Sequence, residues 1–368
     1  MDRASGSCHR HRVIRPVVVD AVRTPIGAKD GGLSTWHPAD LAGHLLRVLA
    51  TRTGIDPADV DDVLLGCAMP VGSQGFNVAR NAVLAAGWPN SVPAGTVERQ
   101  GVSSFAAVAA GARAVASGMA RLVIVGGVEM MSTTPAGATL VPGAMPFGPA
   151  MTARYKDIGG LVPPAAAADA LGVTREEADA YALRSYAKAG ADPSIVAVGS
   201  IRSDERRQPG DVSGARPLFD AEGTVTAANS APAADGAALL LLAADSLGLE
   251  PLAQVVAVAE TAVDPVAMWT AGESATGRAL QLAGLKERDV DRFEVAEPFA
   301  PVAIRWLRAT GVDEACVNLG GGGIALGEPT GAAGARLLAT LAHAGVSTGV
   351  AVGFAVGGLG AAVVLRRP

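Results

Sequence analysis

Apolar residues follow two alternating patterns along this chain, short continuous runs and helically spaced positions. A run at residues 16–21 predicts a strand, and Leu41, Leu45 and Leu49 predict a helix over residues 38–53. Further strands are predicted at residues 60–67, near Val97 and at 121–126, with helices at 77–86 and up to Ser117. Because strands and helices alternate, we expect an α/β fold.

The pattern changes between residues 132 and 203, where Pro, Gly, Met and Ala dominate and one helix stands out. That helix, at residues 174–189, begins with a capping box formed by Thr174 and Glu177. We therefore expect an inserted loop domain at residues 132–203.

The alternation resumes near residue 252. It predicts strands at residues 254–260, 292–295, 350–356 and 360–366, and helices at 274–283, 299–310 and up to Leu341. The element order resembles that of the first part, which suggests an internal duplication. The predicted organisation is a disordered basic tail at 1–15, an N-terminal half at 16–131 and 204–251, the loop domain at 132–203, and a C-terminal half at 252–368.

Composition and charge limit the binding partners and the cellular compartment that we expect. The formal net charge of -5 is spread along the chain without a basic block, so we expect no nucleic-acid partner. Apolar stretches such as residues 236–244 are too short to span a bilayer, and residues 1–15 lack the apolar centre of a signal peptide, so we expect no membrane partner and a cytoplasmic location. The 3 cysteines are widely separated, which argues against a metal site and fits a reducing compartment.

Ordered sequence blocks run through nearly the whole chain. They include Arg23-Thr24-Pro25-Ile26-Gly27, Val125-Gly126-Gly127, Gly223-Thr224-Val225-Thr226 and Gly321-Gly322-Gly323-Ile324-Ala325-Leu326-Gly327. In this order the blocks resemble those of the thiolases, the acetyl-CoA acetyltransferases and 3-ketoacyl-CoA thiolases. The resemblance implies the thiolase fold, in which two layered αβαβα halves carry a loop domain that holds coenzyme A.

Thiolase chemistry makes or breaks a carbon–carbon bond beside a thioester. It needs a nucleophilic thiol, an imidazole that activates this thiol, a second thiol that moves the α-proton, and an asparagine that orients a water for the oxyanion. The resemblance places Gly101, Glu328, Phe354 and Ala296, respectively, at these four positions. None of the four residues can perform the corresponding step.

Glu328 is the one replacement that could supply new chemistry. The motifs that carry Glu297 and Glu328 converge on one pocket in the family, and two neighbouring carboxyls raise the pKa of one of them. Glu328, with Glu297, is therefore a candidate base, and the alternative is a structural carboxylate held by an ion pair or by backbone amides. Phe354 is expected to plug the pocket. Ser103 and Ser104 are expected to close a helix start, since no histidine aligns with them as a base.

The coenzyme A contacts also differ from those of the family. The family's serine aligns with Ala231, and its loop-domain motif has no counterpart at residues 160–166. We therefore expect no bound cofactor, and these changes place the binding of coenzyme A thioesters in doubt.

Together these substitutions lead to the hypothesis of a thiolase-like protein without thiolase activity, a non-catalytic binding or partner subunit in acyl-CoA or natural-product metabolism. The alternative is a retooled acyl-CoA enzyme, an acyltransferase or a retro-aldolase, that uses Glu328 as its base. The resemblance also implies a homodimer, or a heteromer with another thiolase-superfamily enzyme, and an acyl-CoA as the candidate ligand.

Overall fold

The structure is a computed structural model that describes residues 13–144, 146–155, 164–206 and 208–368. Most of the predicted tail, residues 1–12, lies outside the described residues. Strands are found at β1 (Pro16–Arg23), β2 (Gly27–Ala28), β3 (Asp62–Gly66), β4 (Ala94–Val97), β5 (Leu122–Met130), β6 (Ala234–Ala244), β7 (Ala253–Ala262), β8 (Arg292–Val295), β9 (Thr348–Ala355) and β10 (Leu359–Arg366). The α-helices are α1 (Pro38–Thr53), α2 (Val78–Ala85), α3 (Ser103–Ala116), α4 (Pro149–Arg154), α5 (Pro164–Asp169), α6 (Arg175–Lys188), α7 (Ala271–Ala283), α8 (Ala300–Thr310), α9 (Gly323–Leu326) and α10 (Ala333–Ala342).

The strands form one mixed sheet in the order β4-β3-β5-β6-β1-β7-β10-β9-β8, with β2 paired to β6. In the N-terminal part, β1 pairs β6 and β6 pairs β5 antiparallel, whereas β5 pairs β3 parallel. The C-terminal part repeats this pattern through β7, β10, β9 and β8. The two parts meet at β1 and β7, where Val17 pairs with Gln254 and Val18 with Ala253. The repeated order agrees with an internal duplication.

Helices cover the sheet in layers. The helices α1 and α2 pack on the outer face of the N-terminal strands, and α7 packs on the outer face of the C-terminal strands. The helices α3 and α10 lie between the two halves and contact strands of both. This layered arrangement of helices on a mixed sheet is the predicted α/β fold class, and it is confirmed.

The strand β6 is the main element that the sequence analysis left unassigned. All of its residues are buried, and it pairs with β1, β2 and β5. Its continuous apolar run is typical of a strand covered on both faces. The short helices α4 and α5 were also missed, because six residues contain too few turns to show a helical period.

Local sequence explains where several elements begin and end. The capping box of Thr174 and Glu177 starts α6, as predicted. The helix α1 ends at Gly54, whose φ of 69° suits a residue without Cβ. Cys316 ends a 3₁₀ turn and is half-buried. Among the described residues, no helix combines the length and the apolar character needed to cross a membrane.

Candidate active site

Gly101 lies in a 3₁₀ turn, Gln100–Val102, that connects β4 to the start of α3. A Cβ built on Gly101 would lie 2.6 Å from the carbonyl oxygen of Phe354 on β9. Ser103 Oγ accepts from the Arg99 N–H and donates to the Gln100 carbonyl, so this hydroxyl holds the turn. Ser104 Oγ accepts from the Ala335 N–H of α10. Both serines therefore have the structural role expected for them, and Gly101 is fitted closely against β9.

Glu328 follows α9 and precedes a second 3₁₀ turn, Thr330–Ala332, which leads into α10. Its N–H donates to the Pro232 carbonyl, 3.1 Å away. The Gly331 N–H donates to Glu129 on β5, which ties this turn to the sheet. The two 3₁₀ turns pack against each other. The fold therefore brings the segment of Gly101 next to the segment of Glu328, as the resemblance implied.

The carboxyl group of Glu328 has an unusual environment. The residue is half-buried, but its Oε2 is shielded from solvent and has no hydrogen-bond partner within the described ranges. Burial raises the pKa of Glu328 to about 7, the positive charge of Arg336 opposes this rise, and the negative charge of Glu297 adds to it. A carboxyl that ionises near neutral pH can accept and return a proton during turnover.

Glu297, which lies just after strand β8, has an environment opposite to that of Glu328. Its Oε1 accepts from Tyr181 Oη at 2.9 Å and from Asn318 Nδ2 at 2.6 Å. Its Oε2 accepts from Ser185 Oγ at 2.8 Å and from the Ile324 N–H at 3.2 Å. These donors lie on α6, in the segment just before α9 and on α9, so Glu297 fastens α6 to the C-terminal part of the chain. Both oxygens of Glu297 are therefore occupied by hydrogen bonds that hold the structure together.

Two of the remaining predicted positions, Ala231 and Ala296, adjoin these two glutamates. A Cβ built on Gly323 would lie 2.7 Å from Glu328 Oε2 and 3.4 Å from the Ala231 Cβ, so Ala231 borders the Glu328 carboxyl. Ala296, directly before Glu297, is buried, and its N–H donates to Val352 on β9. Gly101 and Ala231 are half-buried, as Glu328 is.

Phe354 is buried, and its ring packs against Gly272 on α7. Its carbonyl, rather than its ring, faces Gly101. The ring therefore fills the space between β9 and α7, and the part of Phe354 that approaches the Gly101 turn is backbone.

Arg336 is the charged residue of this region that the sequence analysis missed. It lies within α10, is 2% exposed, and acts electrostatically on both Glu294 and Glu328. The available signal was a single charged residue inside the helix Ala333–Ala342, whose other residues are apolar or small apart from Thr340. A buried cation of this kind is usually paired with a buried carboxylate.

Comparison with known proteins identifies the family. The sequence matches the description "Thiolase, N-terminal domain" at residues 16–195 and 200–246, and "Thiolase, C-terminal domain" at residues 249–367. The chain belongs to the thiolase family.

Curated thiolases resemble the chain over most of its length. The steroid 3-ketoacyl-CoA thiolase FadA6 of Mycobacterium tuberculosis is 39% identical over 352 residues, which cover 88% of this chain and 86% of that protein. The 3-ketoacyl-CoA thiolase of Bacillus subtilis is 36% identical over 360 residues, covering 89% and 92% of the two chains. The enzyme of the same name from Escherichia coli is 36% identical over 387 residues, covering 95% and 99%. By family, this thiolase is an acyltransferase.

These relatives correct the functional hypothesis drawn from the sequence. A non-catalytic binding or partner subunit was expected, because four positions lack the family's functional groups. Relatives that are 36–39% identical over about 90% of the chain carry the names of 3-ketoacyl-CoA thiolases, which points to an active thiolase. The non-catalytic hypothesis is therefore wrong, and the retro-aldolase alternative does not agree with these names either. The positional assignments of Gly101, Ala231, Ala296, Glu328 and Phe354 stay predictions.

Proposed function

We propose that the protein cleaves 3-ketoacyl-CoA thioesters by thiolysis, with Glu328 as the group that moves the protons. The proposal follows the names of the relatives for the substrate class. It rests on one observation for the mechanism, the solvent-shielded Oε2 of Glu328, which has no partner in the described part of the chain. A carboxyl with a pKa near 7 is matched to proton transfer at neutral pH.

The route must work without a protein thiol at Gly101, which has no side chain to acylate. We propose that the thiol of free coenzyme A attacks directly. Glu328 removes the proton from this thiol, and the thiolate sulfur forms a bond to the C3 carbonyl carbon of the substrate. The bond between C2 and C3 then breaks, and its electron pair moves to C2 as the enolate of acetyl-CoA. Glu328 returns the proton to C2, which releases acetyl-CoA and the shortened acyl-CoA.

The close fit at Gly101 supports this route. A side chain there would collide with the Phe354 carbonyl, so the backbone of this turn is arranged for a glycine. The shift in pKa supports Glu328 rather than Glu297 as the proton carrier, since Glu297 already accepts from four donors.

Steady-state thiolysis of acetoacetyl-CoA tests the proposal. The wild-type protein should turn over, and Glu328→Gln should lower kcat by about 10²–10⁴-fold, the usual contribution of a general acid or base. The control Glu287→Gln changes an exposed carboxyl on the surface and should leave kcat unchanged.

Initial rates at several concentrations of both substrates test the direct attack. A ternary complex predicts lines that intersect in a double-reciprocal plot. Parallel lines would indicate an acyl-enzyme and would rule out direct attack. Absence of thiolysis by the wild-type protein would overturn the proposed function. Full activity of Glu328→Gln would overturn the assignment of Glu328 as the base.

A further inference from the structure

The strand β5 carries a carboxylate near the end of a fully buried run. Glu129 is 0% exposed, and every other residue of β5 is buried as well. A buried carboxylate is costly unless donors stabilise it. The groups that donate to Glu129 should therefore explain why this strand contains a charged residue.

Four N–H groups of the described residues donate to the Glu129 carboxylate. Three of them follow β3 and lie 2.6–3.3 Å away, namely the Ala68 N–H, the Met69 N–H and Gln74 Nε2. The fourth is the Gly331 N–H, which donates to Oε2 at 2.8 Å. Gly331 belongs to the 3₁₀ turn that follows Glu328. Glu129 therefore connects the N-terminal strands with the turn beside the candidate base.

The link between this turn and Glu328 is short and stiff. Two residues separate Gly331 from Glu328, and the first of them is Pro329, whose ring fixes φ. On its other side, Glu328 donates its own N–H to the Pro232 carbonyl. The backbone of Glu328 is thus held on both sides, and loss of the Glu129 contact would release one of them.

The turn at Gly331 is also fitted closely against the N-terminal strands. A Cβ built on Gly331 would overlap Glu129 Oε2 and the Ala68 nitrogen. A Cβ built on Gly127, two residues before Glu129 on β5, would overlap the Gly331 carbonyl oxygen. Because neither glycine has a side chain, the turn can approach β5 closely enough for the Gly331 N–H to reach the carboxylate.

We propose that Glu129 is a positioning residue for Glu328, which it keeps in place and shielded from solvent by holding the Gly331 N–H. The inference rests on the proposed function, in which Glu328 is the base of thiolysis. Glu129 acts through the backbone of the turn and not through proton transfer of its own.

The ionisation of Glu328 reports whether the carboxyl keeps its position. Burial is the main cause that raises the pKa of Glu328 to about 7, while the charge of Arg336 opposes the rise and that of Glu297 adds to it. The titratable group beside Glu129 is the Cys67 thiol, 3.8 Å from Oε1, and burial raises the pKa of this thiol, so it stays neutral. If the turn moves and water reaches Glu328, its pKa should fall toward the ordinary value of 4.5.

The pH dependence of acetoacetyl-CoA thiolysis by Glu129→Met tests the proposal. Methionine nearly keeps the volume but offers no oxygen to the Gly331 N–H. We expect kcat to fall about 10²-fold through misplacement of the base, with KM changed by less than about threefold. The midpoint of the kcat profile should fall by about one pH unit or more. Glu129→Gln keeps one oxygen for the Gly331 N–H, so its midpoint should stay near that of the wild type.

Asp61 provides a matched control. Its carboxyl accepts from the N–H groups of Arg121 and Leu122 at the opposite end of β5. Asp61→Leu removes these bonds far from Glu328, so it should lower the free energy of unfolding but leave KM and the pH midpoint unchanged. A purely structural role of Glu129 predicts this same result for Glu129→Met.

Gly331→Ala is a second variant in case Glu129→Met does not fold. Its Cβ would displace the turn from Glu129, so the midpoint should fall here too. The infrared carboxyl band of Glu328, assigned by its loss in Glu328→Gln, gives the midpoint without turnover. A lower infrared midpoint in these variants, without thiolysis by the wild type, would refute the proposed function but not the role of Glu129 in holding Glu328. An unchanged midpoint in either folded variant would overturn the positioning role.

Discussion

Glu297 and Glu328 occupy neighbouring segments of the C-terminal half, yet their surroundings differ in kind. Glu297 accepts from Tyr181, Ser185, Asn318 and the Ile324 N–H. Glu328 has an oxygen that is shielded from water and accepts from no described residue. Burial alone therefore does not make a carboxyl a candidate base. What separates an anchor from a candidate base is whether donors have already stabilised its charge.

The largest expected effect is on stability, and it should distinguish the two residues. Glu297→Gln keeps the volume but removes the charge that four donors stabilise, so we expect it to lower the free energy of unfolding by about 3 kcal/mol. Glu328→Gln removes a charge that the Glu297 N–H stabilises at one oxygen while Oε2 has no such donor, and it should leave stability unchanged or raise it. Urea unfolding of both variants at pH 8 measures the difference. Equal losses of unfolding free energy in the two variants would show that Glu297 and Glu328 do not differ in how far donors stabilise their charges.

A second, smaller effect concerns pH. In the unfolded chain Glu328 ionises near pH 4.5, and in the folded chain burial raises its pKa to about 7. The folded protein therefore holds this proton to higher pH than the unfolded chain does, so stability relative to Glu328→Gln should fall as pH rises from 4.5 through 7. Because the residue is partly exposed, we expect a change of about 2 kcal/mol rather than the full value of the shift.

The measurement is the unfolding free energy of wild type and Glu328→Gln across this pH range. Other carboxyls titrate in both proteins, so the difference between the two curves isolates Glu328. A difference that is flat with pH would show that the folded protein ionises Glu328 at its ordinary pKa.

Periodicity was sufficient to predict most of this fold. The helix over residues 38–53 and the strand at 292–295 match the observed α1 and β8. The strand β6 was not predicted, since a continuous apolar run has no period that separates a buried strand from a buried helix. Pairing with β5 and β1 decides its conformation, and that information is not local.

The sequence could indicate which residues belong to the candidate site, but not the hydrogen bonds and packing around them. The resemblance placed Gly101 and Glu328 at two of the family's catalytic positions, and the 3₁₀ turns beside them pack together. The hydrogen bonds that occupy the oxygens of Glu297 include those from Tyr181 and Ser185, which lie on a helix more than a hundred positions earlier. Likewise, the sequence placed Phe354 in the pocket but could not show that its ring turns toward Gly272.

The smallest expected effect probes Arg336, a cation whose charge opposes the rise in the pKa of Glu328. Arg336 on α10 lowers the pKa of Glu328, whereas the charge of Glu297, which follows β8, raises it. Arg336→Met should therefore raise the pKa of Glu328 further, by about one pH unit, and Arg336→Lys should largely preserve it. The carboxyl band of Glu328 in infrared difference spectra, assigned by its loss in Glu328→Gln, reports this midpoint directly. An identical midpoint in wild type and Arg336→Met would mean that Arg336 does not influence the ionisation of Glu328, and that the contrast with Glu297 owes nothing to α10.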